Sequence, residues 1–430
     1  LGKGVGVEIQ RGIKHRLYPT PEQVQVLDGQ AHAARALWNL LHEWWTMASE
    51  NRRVSLKDAD AVIKQARKDI DFLSALPAQA AQQVLKQYHR SWVNRWEGRA
   101  ETPRFKSRIR AKMGVDVPQG RDLNITALSR RWSTLKIPKV GTVRFRAHRT
   151  IPGTVTGARL VREANGWHIV LRTHWDQPDP VPHPGPTVGI DRGIAVALAL
   201  SDGTHHTHAR WERLKETERL RRLERKAARQ RRARKPGERT SNRLTATYDK
   251  IASLRARFAR RRSHWQHQTT RAIADAYSLI GLEDLNVAGM TRSARGTVDK
   301  PGRNVAQKAG LNRSIQGEAW HQLHAQLVYK TTERGGRVVV VPAPHTSQRC
   351  HRCGFSDVRN RKSQASFVCQ NPICGWVGNA DTNAAHNIDH AARQAALREP
   401  AQGRGVAGRG GRQRPAKRQP KRKGDPHGKP

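Results

Sequence analysis

All four cysteines of this 430-residue chain fall between residues 350 and 374, and that clustering narrows the fold more than any other feature. Cys350 and Cys353 are separated by two residues; after a gap of fifteen come Cys369 and Cys374, separated by four. Thiolates so spaced arrange four sulfurs tetrahedrally around one Zn2+, and a site closed by four protein ligands is structural. The second arm, "CQNPICG", is two residues longer than the commonest zinc ribbon. Gly354 and Gly375 fit the tight turns of such knuckles. His351 lies inside the first arm, where a fifth ligand is unnecessary, and is expected on the surface or against a phosphate. Clustered cysteines are not how a secreted disulfide scaffold of this length is built, so the chain is expected inside a cell, cytoplasmic or associated with the nucleoid.

Charge sets the partner. Eighty Lys+Arg face 35 Asp+Glu, a net charge of +45, and the pI is about 11.5. A surface that basic repels itself unless a polyanion neutralises it, which points to nucleic acid. A membrane is not expected, because no apolar run is long enough to span one. The stretch 219–235, with Arg219, Arg221, Arg222, Arg225 and Arg229, holds few acids to pair with and is expected to bind phosphates.

The order of elements reads as several modules. Residues 5–18 alternate like a strand, and Thr20, Pro21 and Gln23 then form a helix-start signature. Helical patterns continue to about residue 97. They carry Leu37, Trp38, Leu41, Trp44 and Trp45, then Tyr88, Trp92 and Trp96, aromatics that suit a core or a stack of bases. Short strands separated by Gly and Asn turns fill 130–175, and Pro182, Pro184 and Pro186 mark a linker. A second domain opens with "TVGIDRGIAVALALSDG", a strand ending in Asp191, a second strand and a hairpin-type turn. Residues 208–275 read as a basic helical hairpin broken around "RKPGERTS". "YSLIGLEDL" is a strand ending in Glu283, 314–334 an amphipathic helix, and "RVVVVP" a buried strand. The residues from 396 on form a disordered basic tail that cannot build a core.

Asp191, Glu283 and Asp381 stand where two strands end and a helix begins. Acids brought together from distant elements suit Mg2+, which prefers hard oxygen ligands and in pairs promotes phosphodiester hydrolysis. Taken singly, Asp191 also fits a turn, Glu283 a partner for a basic helix, and Asp381 a helix cap.

"GIDRG", "GLEDL", the paired knuckles and "DTNAAHNI", in that order, resemble the OrfB/TnpB proteins of bacterial insertion sequences and the related compact type V CRISPR effectors. "HRLYPTPEQ", "ALWN" and "SIQGEAWHQLHAQLVYKTTERGGRVVVVP" extend the resemblance over most of residues 11–390. It implies an α/β, RuvC/RNase H-like nuclease domain (187–345 and 377–395) with an inserted zinc finger (346–376). Before these would come a β-rich wedge module (1–20 and 130–180) with a helical recognition insertion (21–129). It further implies an RNA-guided DNA endonuclease that reads a short motif beside its target. Asp191, Glu283 and Asp381 would be its catalytic, Mg2+-binding acids and Cys350, Cys353, Cys369 and Cys374 its Zn2+ ligands. Guide RNA and target double-stranded DNA would be the partners of a monomer or dimer, with Arg257, Arg261 and Arg262 as further phosphate contacts. Many relatives carry "DRD" where this chain has "NAD", Asn379 and Ala380 replacing the first two residues. A guide-directed DNA binder with weak or no cleavage is therefore the alternative expectation.

Overall fold

The structure is a computed structural model that describes residues 7–51, 55–107, 112–235, 237–297, 299–344, 346–363 and 365–398. The expected basic tail lies outside the described residues from 399 onward, and its first three positions are helical. The chain divides into two compact units near residue 176.

The N-terminal unit contains β1 (Val7–Tyr18), α1 (Pro21–Asn51), α2 (Leu56–Asp69), α3 (Asp71–Ser74), α4 (Ala78–Trp96), β2 (Gly114–Val117), β3 (Thr126–Ser129), β4 (Trp132–Ile137), β5 (Gly141–Arg146), β6 (Thr154–Glu163) and β7 (Gly166–Gln177). Its sheet runs β2-β6-β7-β1-β5-β4-β3. Along β1, buried Ile13, His15 and Leu17 alternate with exposed Lys14, Arg16 and Tyr18, the period-two pattern of a strand with one covered face. The helix start at Thr20 forms as the residues dictate. The Gln23 amide donates to the Thr20 hydroxyl at 3.3 Å and the Thr20 amide to the Gln23 side chain at 3.1 Å. Leu37, Trp38, Leu41 and Trp45 line the buried stripe of α1 and meet fully buried Tyr88 of α4. Each such large apolar side chain contributes roughly 1.5–3 kcal/mol on burial. The expected helical stretch 21–129 requires correction: β2 and β3 are strands, with β2 paired antiparallel to β6 and β3 to β4.

The C-terminal unit contains β8 (Thr187–Asp191), β9 (Leu198–Leu200), β10 (His205–His206), α5 (Leu214–Arg232), α6 (Asn242–Ala276), β11 (Leu279–Glu283), α7 (Val287–Met290), α8 (Val305–Glu318), α9 (Trp320–Thr332), β12 (Arg337–Val341), β13 (Ser366–Val368), β14 (Val377–Asn379) and α10 (Ala380–Arg398). Its five-stranded sheet runs β10-β9-β8-β11-β12. The last three of these are mutually parallel, while β9 is antiparallel to both β8 and β10. Parallel neighbours need crossovers, and the α5–α6 hairpin and the α7–α9 segment supply them.

Two faces of this sheet are covered differently. Val188, Ile190, Ile280 and Leu282 pack with Ile273 of α6 and with Leu323 and Leu327 of α9. On the opposite face Val339 and Val341 pack with Ile388 and Ala392 of α10. Two expectations are corrected here. The helix foreseen over 314–334 is two helices, because Ala319 sits in the left-handed region at φ 50°. "RVVVV" is an edge strand, so Val339 and Val341 are buried but Val340 is 43% exposed.

Candidate active site and metal centre

The acids sit where they do because of two glycines. In β8 and β11, Gly189 and Asp191 point to one face, as do Gly281 and Glu283, since side chains two apart share a face. That face carries α10. A Cβ at Gly189 would lie 2.0 Å from the Ala385 carbonyl oxygen, and one at Gly281 would lie 2.8 Å from the Ala392 Cβ. Missing side chains thus let α10 lie directly on the strands. The parallel register sets Ile190 opposite Leu282, so Asp191 and Glu283 stand level at the next step. The first turn of α10 adds Asp381.

The carboxylates share one electrostatic environment. Burial first, then the charges of Glu283 and Asp381, push the Asp191 carboxyl up to about 7, against the pull of Arg361 and the Arg192 amide. Glu283 is 8% exposed. Burial raises it too, offset by the Thr346 hydroxyl, Arg192 and Arg361, and Asp381 is likewise raised by burial. Arg361 reaches Asp381 at 3.3 Å. The Thr346 hydroxyl donates to the Glu283 carboxylate and the Arg192 guanidinium to the Glu283 carbonyl oxygen. The carboxylate oxygens of the three acids do not all approach within 4.8 Å. Hard oxygen donors that resist carrying their charge unaided are a set that a divalent cation suits.

Asn379 and Ala380 have local structural work. The Asn379 side-chain oxygen accepts from the amides of Asp381 at 2.9 Å and Thr382 at 3.0 Å, capping α10. Asn and Asp are near-equal caps. Ala380 is fully buried beside Cys350, Phe367 and Cys369.

The four cysteines are brought together. Their sulfurs all lie within 4.8 Å of one another, the group of metal-ligating type that does so among the described residues. Cys350 and Cys374 sulfurs are 3.9 Å apart, and those of Cys353 and Cys369 are 3.6 Å apart. A tetrahedral zinc with Zn–S near 2.3 Å requires sulfur separations of about 3.8 Å, so the set fits zinc. Gly354 and Gly375 are left-handed, at φ 78° and 52°, as the knuckles demand. The longer second arm bulges outward, leaving Ile373 96% exposed. His351 is half-buried. Its ring stacks on His386 at 4.4 Å and meets Trp376 edge-on, and its amide donates to Asn383 at 3.0 Å.

The basic residues divide. Arg219, Arg221, Arg222, Arg225 and Arg229 are exposed along α5, and no carboxylate among the described residues forms an ion pair with them. Arg257 and Arg261 instead clamp Glu216, at 2.9 and 2.6 Å, and Arg262 donates to the Gly317 carbonyl at 2.8 Å. Arg257 and Arg261 fasten the α5–α6 hairpin, and Arg262 ties α6 to the end of α8. Arg361, Arg192 and Thr346 were not singled out by sequence. Arg192 adjoins Asp191, but among 80 Lys+Arg nothing marks Arg361.

Known proteins fit this arrangement. Residues 169–294 match the OrfB_IS605 family, described as "Probable transposase", and residues 320–388 match "Cas12f1-like, TNB domain". Residues 9–48 match the helix-turn-helix domain of the OrfB_IS605 group, although here they form a strand and one long helix. The chain is 37% identical over 320 residues to InsQ of Escherichia coli (strain K12), named as an RNA-guided DNA endonuclease, covering 74% of this chain and 76% of that protein. A Streptomyces pristinaespiralis protein named as an RNA-guided DNA endonuclease is 28% identical, over 89% of each chain. The Cas12f1 chain in the cryo-EM structure of a Cas12f1–sgRNA–target DNA complex is 13% identical with a TM-score of 0.53, covering 86% of this chain and 83% of that one, and so shares its fold. The chain belongs to the OrfB/TnpB family of insertion-sequence RNA-guided nucleases, to which the compact Cas12f effectors are related.

Proposed function

We propose that this protein is an RNA-guided DNA endonuclease whose cutting centre is Asp191, Glu283 and Asp381 in a RuvC, RNase H-like domain. The observation that carries the reading is the convergence of three acids, from two parallel strands and a helix, on one sheet face where Asp191 is pushed up to about 7. The strand order, with three parallel strands continued by an antiparallel pair, supports the RNase H-like assignment. Asp191, Glu283 and Asp381 would hold Mg2+, which when bound supplies charge to polarise a scissile phosphate and activate water. Thr346 orients the Glu283 carboxylate, Arg192 ties the end of β11 to β8, and the Asn379 cap fixes the first turn of α10. The four-cysteine finger, with zinc, anchors Ala380 at the start of that helix.

Guide RNA and target DNA are the proposed partners, with the N-terminal unit as wedge and recognition modules and the exposed α5 arginines on phosphates. No helix among the described residues is long and apolar enough to cross a membrane, and a cytoplasmic, nucleoid-associated location is proposed. Asn379 as a helix cap favours cutting over guided binding alone, because the departure from "DRD" leaves Asp381 in place. Asp191→Ala and Glu283→Ala are the test. Each is expected to reduce Mg2+-dependent cutting by at least 100-fold (~3 kcal/mol) while guided DNA binding persists. Cutting that survives either change refutes the assignment.

A further inference from the structure

The aromatics of the helical module separate into two sets. Trp38 and Trp45 are 8% and 4% exposed and Tyr88 is fully buried, so these three are core. Trp96, the last residue of α4, is 62% exposed. It ends a ring ladder that leaves the core at Trp45, passes His89 at 6.3 Å, and reaches Trp96 at 6.2 Å. The half-buried Trp92 ring lies 6.0 Å from that of Trp96 and only 31° from parallel, so the core side of the platform is supported. Arg95 is exposed at the preceding position and held by Thr102 at 3.2 Å, and exposed Arg99, three residues on, is ion-paired with Glu97.

An indole presented at a helix end next to the exposed Arg95 guanidinium suits a flat, electron-rich ring joined to phosphate. That is a nucleobase in a nucleic-acid strand, for which stacking supplies sequence-tolerant affinity and arginine holds the backbone. The occupant must also be long-lived. A supported, exposed aromatic patch promotes association when left bare, so the partner that covers it is one present throughout the working cycle. On the proposed function, that partner is the guide RNA; target DNA is present only during engagement. We propose that Trp96, backed by Trp92, is a stacking platform for an unpaired base of the guide RNA.

The test uses the full chain, freed of its co-purifying RNA and titrated with that same RNA over a salt series. Trp96→Ala and Trp96→Leu are each expected to weaken RNA binding by about 5- to 100-fold. Trp96→Phe is expected to restore most of the affinity, and the slope of affinity against salt should stay that of the wild type, because no phosphate contact is removed. Leucine keeps apolar bulk without a π-face, so full affinity in Trp96→Leu overturns the proposal, as does full affinity in Trp96→Ala. A loss confined to target-DNA binding overturns the assignment to RNA. A change of oligomeric state with unchanged RNA affinity makes the patch a contact between copies and overturns it also. Wild-type protein that binds no RNA defeats the underlying function reading, and does so before any variant is compared.

Discussion

On the proposed function, Asp191 concentrates the conflict between stability and activity in this protein. Its carboxyl, ordinarily near 3.8, is raised to about 7 in the folded chain. An acid raised on folding binds more protons in the folded state, so stability falls as pH climbs from about 4 to about 7 and the penalty is complete above that. About three pH units correspond to an upper bound of roughly 4 kcal/mol. Metal-free Asp191→Asn should therefore melt higher than wild type at pH 8, by one to a few kcal/mol, with the gap closing near pH 4. Equal melting temperatures at pH 8 would contradict the buried, mutually repelling arrangement. The same variant should lose cutting, so the residue is kept at a cost in stability. Sequence made this residue visible because an apolar strand ended in a lone acid. It left Arg361 invisible, since pairing with Asp381 across twenty positions is set by where the finger lands and not by local pattern.

Among the elements, α10 matters most to the site, and two absent side chains place it. A Cβ at residue 189 must displace the Ala385 carbonyl from 2.0 Å, and backbone cannot yield as a flexible side chain would. Gly189→Ala is expected to destabilise the C-terminal unit by about 3 kcal/mol, at the upper end of overpacking costs. Cutting should fall with it, because lifting α10 removes Asp381 from the other acids. Thermal melting and a cutting assay measure the two effects, and an unchanged melting temperature would show that the contact is not tight. Local signals made several elements legible: the Thr20 start of α1, the "RKPGERTS" break in the hairpin and the knuckle glycines each act through residues next to them. The break at Ala319 was not legible. An alanine favours helix continuation, and its left-handed turn is imposed from outside, with Gln266 and Arg262 of α6 donating to the Glu318 and Gly317 carbonyls. The short strand β2 escaped for a related reason, as its partner β6 lies far along the chain, and β3 escaped because all four of its residues are exposed and show no alternation of burial.

For the whole molecule, charge and cysteine placement already indicated a nucleic-acid-binding protein with a zinc finger, and the motif order indicated the family. The proposed acidic site required the fold, because no spacing in the sequence says that strand ends at 191 and 283 lie level beneath the start of a helix at 380. The central claim is that this assembly cuts DNA chosen by a bound RNA, and one measurement addresses it most directly. The protein is purified from its native genomic context, its bound RNA is sequenced, and the complex is given matched DNA flanked by a randomised motif, with and without Mg2+. The account predicts a single structured RNA and cutting that needs both the match and Mg2+. Tight matched binding without cutting would contradict it and identify a guided silencer.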